Sequence, residues 1–260
     1  SKHEQPKITT EGYNNTLEFW SVDNAGNEEP HKFLTGIKLD KTPPTGSIMI
    51  SNGRPYTSSR EVNLALLASD TLSGVGFMRF SSDNITWTAW EHYSLIKEWM
   101  LQYGDGRKII YVQFKDHANL TSQIYYATIT LDTTPPIIQL ITPKPNSQIS
   151  NNEVTVQWTG ADETSGISHY EIRLDKGPWI NVGNNTIYNF KNLSYDTHVV
   201  EIRAFDNAGN IATLSINFII ITPKSPAPSI SLSNLLLIVG VVTIIVIVII
   251  GLAYLLRKYT

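Results

Sequence analysis

A repeat of about 92 residues constrains the fold of this 260-residue chain more than any other feature of its sequence. Three motifs mark the repeat: Asp-x-Thr-Pro-Pro at 40–44 and 132–136, Asp-x-x-Ser-Gly at 70–74 and 162–166, and Asp-Asn-Ala-Gly-Asn at 23–27 and 206–210. A degenerate copy of the third motif stands at 116–119. Self-similarity at a fixed period is typical of a chain built from copies of one structural unit.

The motifs divide the chain into two whole units and part of a third. The whole units are residues 42–133 and 134–222, whereas residues 1–41 match only the C-terminal half of a unit. Half of a β-sandwich cannot bury its apolar face alone. We therefore expect further sequence before residue 1 and interpret 1–41 as a truncated repeat.

Apolar and polar residues alternate with a period of two inside each whole unit. The alternating apolar residues include Val62, Leu64, Leu66, Ile110, Val112, Phe114, Val154, Val156, Trp158, Val200, Ile202 and Ala204. Such short runs, bounded by Gly, Pro, Asn and Asp, indicate half-buried antiparallel strands. About seven strands in 90 residues predict an all-β chain of tandem immunoglobulin-like β-sandwiches.

These motifs carry a resemblance to known proteins. The Asp-x-x-Ser-Gly turn, the Asp-Asn-Ala-Gly-Asn turn and the Asp-x-Thr-Pro-Pro linker resemble those of the immunoglobulin-like and fibronectin-III-like repeats of bacterial and archaeal cell-surface proteins. The resemblance covers nearly all of residues 1–222 and implies a stalk, an adhesin or a spacer. Residues 116–119 depart from the pattern because they lack its glycine.

An apolar segment without charge follows the repeats. Residues 235–256 contain no charged side chain, and Arg257 and Lys258 come directly after them. Twenty-two residues of helix are about 33 Å long, enough to cross a bilayer core of about 30 Å. We predict one transmembrane helix at 235–256, with a buried core segment and a sorting tail that is removed as the alternatives.

The segments around the helix predict its orientation. Residues 223–234 are rich in Pro and Ser and are interpreted as a spacer. Basic residues beside a span tend to stay in the cytoplasm, so residues 257–260 are predicted to be a cytoplasmic tail. The expected location is the cell membrane, single-pass, with the N-terminal domains outside and the bilayer as a partner through 235–256.

Composition and motifs predict a binding or structural role. The net charge of −3 gives no indication of nucleic-acid binding. The sequence contains no nucleophile elbow, His-Glu-x-x-His helix, phosphate loop or dinucleotide loop. We therefore expect a non-catalytic extracellular stalk or adhesive rod, with surface proteins or glycans as candidate partners. The alternative is a passive stalk for an enzyme or receptor domain that lies upstream of residue 1.

Two kinds of candidate site remain. In an immunoglobulin-type sandwich, the loops that carry the motif aspartates emerge where the next unit begins, which raises the hypothesis of calcium at the junctions, with Asp40, Asp70 and Asp116 at one and Asp132, Asp162 and Asp206 at the other. The favoured alternative is that these aspartates only cap turns and that no cofactor is bound. Candidate glycosylation sequons stand at Asn14, Asn84, Asn119, Asn184 and Asn192.

Overall fold

The computed structural model describes residues 7–223 and 232–258. Its first element is an antiparallel hairpin of strands β1 (Gly12–Phe19) and β2 (Lys32–Leu39). Apolar side chains of this hairpin are exposed, with Phe33 at 61% and Leu34 at 54%. Within the described residues the hairpin is a two-stranded sheet of its own, without the second sheet that faces the corresponding strands of the whole units.

The first whole unit contains eight strands. They are β3 (Thr45–Ile50), β4 (Tyr56–Thr57), β5 (Glu61–Ser69), β6 (Val75–Ser81), β7 (Glu91–His92), β8 (Ile96–Met100), β9 (Gly106–Asp116) and β10 (Tyr125–Leu131). One sheet has the order β3-β5-β8, and the other has the order β4-β10-β9-β6-β7. All pairs are antiparallel except β4 with β10, which is parallel.

The second whole unit repeats this arrangement strand for strand. Its strands are β11 (Ile137–Thr142), β12 (Gln148–Ile149), β13 (Val154–Ala161), β14 (Ile167–Leu174), β15 (Ile180–Gly183), β16 (Ile187–Phe190), β17 (Thr197–Asp206) and β18 (Ile211–Ile220). The two sheets have the orders β11-β13-β16 and β12-β18-β17-β14-β15, so strands at matching positions occupy matching places. Two packed sheets in this order form an immunoglobulin-like or fibronectin-III-like sandwich, which confirms the predicted fold class.

Each sandwich has its own apolar core between its two sheets. The alternating residues face inward as predicted: Val62, Leu64 and Leu66 are buried in the first core, and Val154, Val156 and Trp158 are buried in the second. Fully burying a side chain of this size stabilises a fold by about 1.5–3 kcal/mol. The two cores share no residue, so each sandwich has the apolar contacts of a separate folded unit.

The hairpin turn after β9 forms although it lacks the motif glycine. In the second unit Gly209 has a φ of +99°, a conformation that L side chains rarely adopt. The matching residue of the first unit is Asn119, with a φ of +68°. Asparagine tolerates this left-handed region better than most residues because its short polar side chain can bond locally. The departure from the sequence pattern therefore leaves the turn intact.

The last described element is helix α1 (Leu232–Lys258), which contains the predicted span 235–256 and extends beyond it at both ends. Residues Val239–Arg257 are long and apolar enough to cross a membrane, and that window packs against no other part of the described chain. Lipid would solvate these apolar side chains, and the helix makes the hydrogen bonds of its own backbone. Residues 224–231 of the predicted spacer and 259–260 of the predicted tail lie outside the described residues.

Candidate metal centre

An aspartate in each linker bonds to the unit that follows it. Asp40 Oδ1 accepts from the Thr42 N–H at 3.0 Å, and Asp40 Oδ2 accepts from the Ser73 N–H at 3.0 Å. At the next junction Asp132 Oδ2 accepts in the same way from the Ser165 N–H at 3.1 Å. One carboxylate oxygen thus connects the end of one unit to a turn of the next at both junctions.

Acidic side chains hold the linkers to the preceding unit as well. At the second junction Asp105 Oδ1 accepts from the Thr133 N–H at 2.9 Å, and Asp105 Oδ2 accepts from the Thr134 hydroxyl at 2.6 Å. The hydrogen bond from Thr134 is the largest cause that lowers the pKa of Asp105 below its usual value. Glu11 has the same role at the first junction, where it accepts from the Lys41 N–H at 2.9 Å.

The Asp-x-x-Ser-Gly motifs form the turns β5–β6 and β13–β14. Asp70 Oδ1 accepts from the N–H groups of Ser73 at 2.9 Å and Gly74 at 2.7 Å, and Asp162 Oδ1 repeats both bonds at 2.8 and 2.7 Å. Gly74 has a φ of +77°, which explains the glycine of the motif. The turn-capping role expected as the alternative to calcium is therefore present, and it occupies one oxygen of each carboxylate.

The third aspartate of each junction ends a long strand of the second sheet. Asp116 closes β9 and Asp206 closes β17, and both are buried, at 0% and 3% exposure. Asp116 Oδ1 accepts from the Leu120 N–H at 2.8 Å. Asp206 Oδ1 accepts from the N–H groups of Gly209 at 2.7 Å and Asn210 at 2.8 Å.

The structure brings the six predicted aspartates together in two groups of three. The groups are Asp40, Asp70 and Asp116 at the first junction, and Asp132, Asp162 and Asp206 at the second. In each group one carboxylate oxygen from every member lies within 4.8 Å of the others. The three aspartates of each group lie close together because the linker and both turns meet at the same end of a sandwich. Calcium binding by these residues stays a prediction.

The two groups differ in one hydrogen-bond donor. At the second junction the Asn210 side-chain amide donates to Asp206 Oδ2 at 2.7 Å and to the Asp132 carbonyl at 2.8 Å. The residue that follows the equivalent turn of the first junction is Leu120, which has no side-chain donor. Asp116 Oδ2 is buried without a hydrogen-bond partner, and so is Asp70 Oδ2.

The electrostatics of Asp116 are those of a buried carboxyl group close to two others. Burial is the largest cause that raises the pKa of the Asp116 carboxyl above its usual value. The negative charges of Asp40 and Asp70 raise that pKa further, although the hydrogen bond from Leu120 lowers it. Among residues 7–223 and 232–258, no basic side chain forms an ion pair with any of these three carboxylates. The site therefore contains negative charge that the described side chains leave uncompensated.

The five candidate glycosylation asparagines are all exposed in the structure. They are Asn14, Asn84, Asn119, Asn184 and Asn192. Three of them, Asn84, Asn119 and Asn192, have positive φ values of 62°, 68° and 58°, which places them at turns. Exposed turn residues are open to modification, but their glycosylation stays a prediction.

A buried histidine forms a polar cluster that no sequence motif predicts. His198 is 5% exposed, and its Nδ1 lies 2.6 Å from Asp175 Oδ2. Its Nε2 lies 3.0 Å from the Ser194 carbonyl oxygen and 3.4 Å from the Ser194 hydroxyl. Because the carbonyl only accepts, Nε2 must carry a proton and cannot act as a base towards that hydroxyl. The cluster resembles a hydrolase triad in composition only.

These contacts of His198 determine the direction of its pKa shift. Burial, the largest single influence, lowers the pKa, but it is outweighed by the hydrogen bonds to Asp175 and the Ser194 carbonyl and by the charges of Asp175 and Asp196. The net result is a pKa above the ordinary value of 6.5. The protonated imidazole therefore stabilises the β14–β15 turn and the start of β17.

Of the known proteins compared with this chain, only solved structures match it. No protein-family model matches the chain, and no curated protein matches it. Among solved structures, the fibronectin(III)-like modules of Clostridium thermocellum CbhA are 12% identical, with a TM-score of 0.43, over 69% of this chain and 98% of that one.

Two further structures are also fibronectin type III segments. The FN1–FN3 domains of chicken CNTN1 are 13% identical over 78% of this chain and 74% of that chain, with a TM-score of 0.35. A two-domain segment of chicken tenascin is 12% identical over 67% of this chain and 98% of that chain, with a TM-score of 0.29. At these scores the matches carry no argument of their own, and the fold rests on the strand order described above.

Proposed function

We propose that the chain is a membrane-anchored cell-surface protein whose tandem sandwiches form a non-catalytic extracellular stalk or adhesive rod. The observation that carries this proposal is the carboxylate link across both junctions, made by Asp40 to Ser73 and by Asp132 to Ser165. A flexible tether needs no bond between its folded parts, whereas a rod needs every junction to hold a fixed angle. The same link at two successive junctions supports a rod.

Helix α1 supports the anchoring part of the proposal. Its apolar window ends at Arg257, and Lys258 follows. Basic residues at one end of a span favour the cytoplasmic side, which supports an external location for the sandwiches.

Cysteine labelling tests this orientation, because the chain contains no cysteine of its own. In cells that express the full chain, a membrane-impermeant maleimide should label Asn151→Cys before permeabilisation, since Asn151 is exposed in the second sandwich. It should label Tyr259→Cys only after permeabilisation. The reverse pattern would overturn the orientation, and equal labelling of both before permeabilisation of intact cells would overturn membrane insertion.

Distance measurements test the rod. Asn63 and Thr155 are exposed residues of β5 and β13, one in each sandwich. Nitroxides attached to Asn63→Cys and Thr155→Cys of the full chain in detergent should give a narrow distance distribution by double electron–electron resonance. Asp132→Ala should broaden it, because the variant removes the bond to Ser165.

The matched control is Asp83→Ala. Asp83 also caps a turn, through the N–H groups of Ile85 and Thr86, but it lies within the first sandwich. This variant should leave the distance distribution narrow. A distribution that is already as broad in the unchanged chain as in Asp132→Ala would refute the rod.

A further inference from the structure

Among the described residues, no basic side chain forms an ion pair with the three carboxylates of the first junction. We propose that Asp40, Asp70 and Asp116 bind a calcium ion between hairpin β1–β2 and the first sandwich. The inference goes beyond the stalk proposal, because it assigns a metal site and does not depend on membrane orientation.

The spacing of the three carboxylates fits one calcium ion. One oxygen of each lies within 4.8 Å of the others. Calcium holds its oxygen ligands at about 2.3–2.6 Å, so two ligands of one ion are separated by at most roughly twice that distance. The spacing of the three oxygens is therefore compatible with a single shared ion.

Two buried oxygens at this site point to a ligand independently of the clustering. Asp116 is fully buried, and its Oδ2 has no hydrogen-bond partner. Asp70 Oδ2 is buried without a partner too, while Asp70 Oδ1 is occupied by its own turn. A buried unpaired carboxylate oxygen is unfavourable, and three carboxylates in contact repel one another. A divalent cation would relieve both effects.

At the second junction, groups of the protein itself donate hydrogen bonds to the buried carboxylate oxygens. There the Asn210 amide reaches Asp206 Oδ2 at 2.7 Å, and Ser165 N–H reaches Asp132 Oδ2 at 3.1 Å. Its three carboxylates have no buried oxygen without a partner. We therefore confine the proposal to the first junction, where Leu120 takes the place of Asn210.

The donor set favours calcium over magnesium. Magnesium is usually held by one or two carboxylates and keeps most of its water, whereas calcium takes six to eight oxygens and accepts several carboxylates. A cleft of about 240 Å³ beside Asp40, lined also by Tyr13, Lys38 and His117, opens the Asp40 side of the site to water. The Tyr13 hydroxyl donates to the Thr71 carbonyl across this junction, so hairpin and sandwich already meet there.

Hydrogen exchange of the full chain in non-ionic detergent tests the site, because it reports each junction separately. Calcium chloride at ten times the apparent Kd should slow exchange about tenfold in segments 70–76 and 116–121, relative to chelator, since a ligand of the native state suppresses opening in proportion to its concentration. Segments 162–168 and 206–212 are the internal reference and should not change. Magnesium chloride at the same concentration should give a smaller effect at 70–76.

Asp116→Asn is the decisive variant. The side-chain oxygen of asparagine can still accept from the Leu120 N–H. Its NH2 group takes the position of the unpaired Asp116 Oδ2 and can donate a hydrogen bond there. The variant should therefore fold, show slower exchange than the unchanged chain in chelator, and lose the calcium effect. Asp206→Asn is the matched control at the second junction, and it should keep the calcium effect at 70–76 and 116–121.

The outcomes separate the site from turn capping. If calcium does not slow exchange at 70–76 and 116–121 in the unchanged chain, the aspartates serve only as caps and the proposal is wrong. It is equally wrong if Asp116→Asn retains the full calcium effect. Protection of 162–168 as strong as that of 70–76 would overturn the assignment to the first junction alone.

Discussion

Replacing Asn210 with leucine should give the second junction the defect of the first. The Asn210 amide donates to Asp206 Oδ2 at 2.7 Å and to the Asp132 carbonyl at 2.8 Å. Asp206 is 3% exposed, so water has little access to the oxygen that Asn210→Leu leaves without a donor. The variant should destabilise the second sandwich while leaving its strands and core unchanged.

The magnitude follows from the two lost bonds. A buried acceptor without a partner costs about 1–3 kcal/mol, with charged groups at the upper end, and the bond to the carbonyl contributes about 0.5–1.5 kcal/mol. Leucine at this half-buried position recovers roughly 1 kcal/mol of apolar burial. The net destabilisation is about 1–3 kcal/mol, which corresponds to a change of roughly 5- to 150-fold in an equilibrium constant.

Hydrogen exchange of the core strands measures this change in the full chain. Under conditions where exchange follows the opening equilibrium, segments 197–206 and 211–220 should exchange about 5- to 150-fold faster in Asn210→Leu. Segments 106–116 and 125–131 of the first sandwich should keep their rates. The control is Asn27→Leu, which removes the same amide from Asp23 in the first hairpin. Asp23 is exposed, so water replaces that amide and no change is expected.

The reasoning is refuted if segment 197–206 exchanges less than twofold faster in Asn210→Leu. That result would mean that Asp206 Oδ2 does not depend on the amide, and the contrast between the two junctions would lose its basis. Faster exchange in Asn27→Leu as well would mean that leucine disturbs this turn for reasons other than the lost donor.

Three further predictions follow from single contacts. Gly46→Ala should lower the stability of the first sandwich by about 1–3 kcal/mol in urea unfolding, because its Cβ would lie 2.5 Å from the Phe114 ring. Because the pKa of His198 is raised in the folded state, its pairing with Asp175 stabilises the second sandwich fully below about pH 6.5, and this stabilisation is lost as the pH rises through the folded pKa. The urea midpoint of the second sandwich should therefore fall over that pH range. His198→Gln should remove the fall. Val246→Arg should cost about 2.5–3.5 kcal/mol of membrane insertion, seen as increased extraction by alkaline carbonate.

Each of these predictions has a matched control. Gly12→Ala places a Cβ no closer than 4.0 Å to another side chain and should be neutral. Asp196→Asn removes a charge near His198 without removing the hydrogen bond that His198 donates to Asp175, so a pH dependence should remain. Val246→Leu should leave extraction unchanged. Equal effects in a variant and its control would contradict the mechanism given for that variant.

The sequence predicted the sandwiches because each of their determinants is local or periodic. The alternation of Val154, Val156 and Trp158 is visible in the sequence, and a strand with one buried face has no other stable register. The repeat then allowed the strands of one unit to be checked against those of the other. The uninterrupted apolar run of 235–256 predicted α1 for the same reason, since only length and hydrophobicity decide it.

The sequence could not predict what lies between elements. His198 meets Asp175 because the start of β17 passes beside the β14–β15 turn, and 23 residues separate them in the chain. Asn119 occupies a left-handed position where the motif has glycine. The absence of glycine from residues 116–119 therefore did not indicate whether the turn forms. Both depend on backbone geometry that no spacing rule supplies.

Turn capping and metal binding do not exclude each other for the motif aspartates, because a carboxylate has two oxygens. Asp70 and Asp162 each use Oδ1 to cap a turn, with bonds of 2.7 Å to the glycine N–H, so the motif alone is explained by capping. What the motif leaves open is the fate of the second oxygen. At the second junction one amide, that of Asn210, satisfies Asp206 Oδ2, and at the first junction Leu120 cannot satisfy Asp116 Oδ2. The residue four positions after the aspartate therefore decides whether the second oxygen of Asp116 or Asp206 has a side-chain donor, although the two junctions have the same fold and the same three carboxylates.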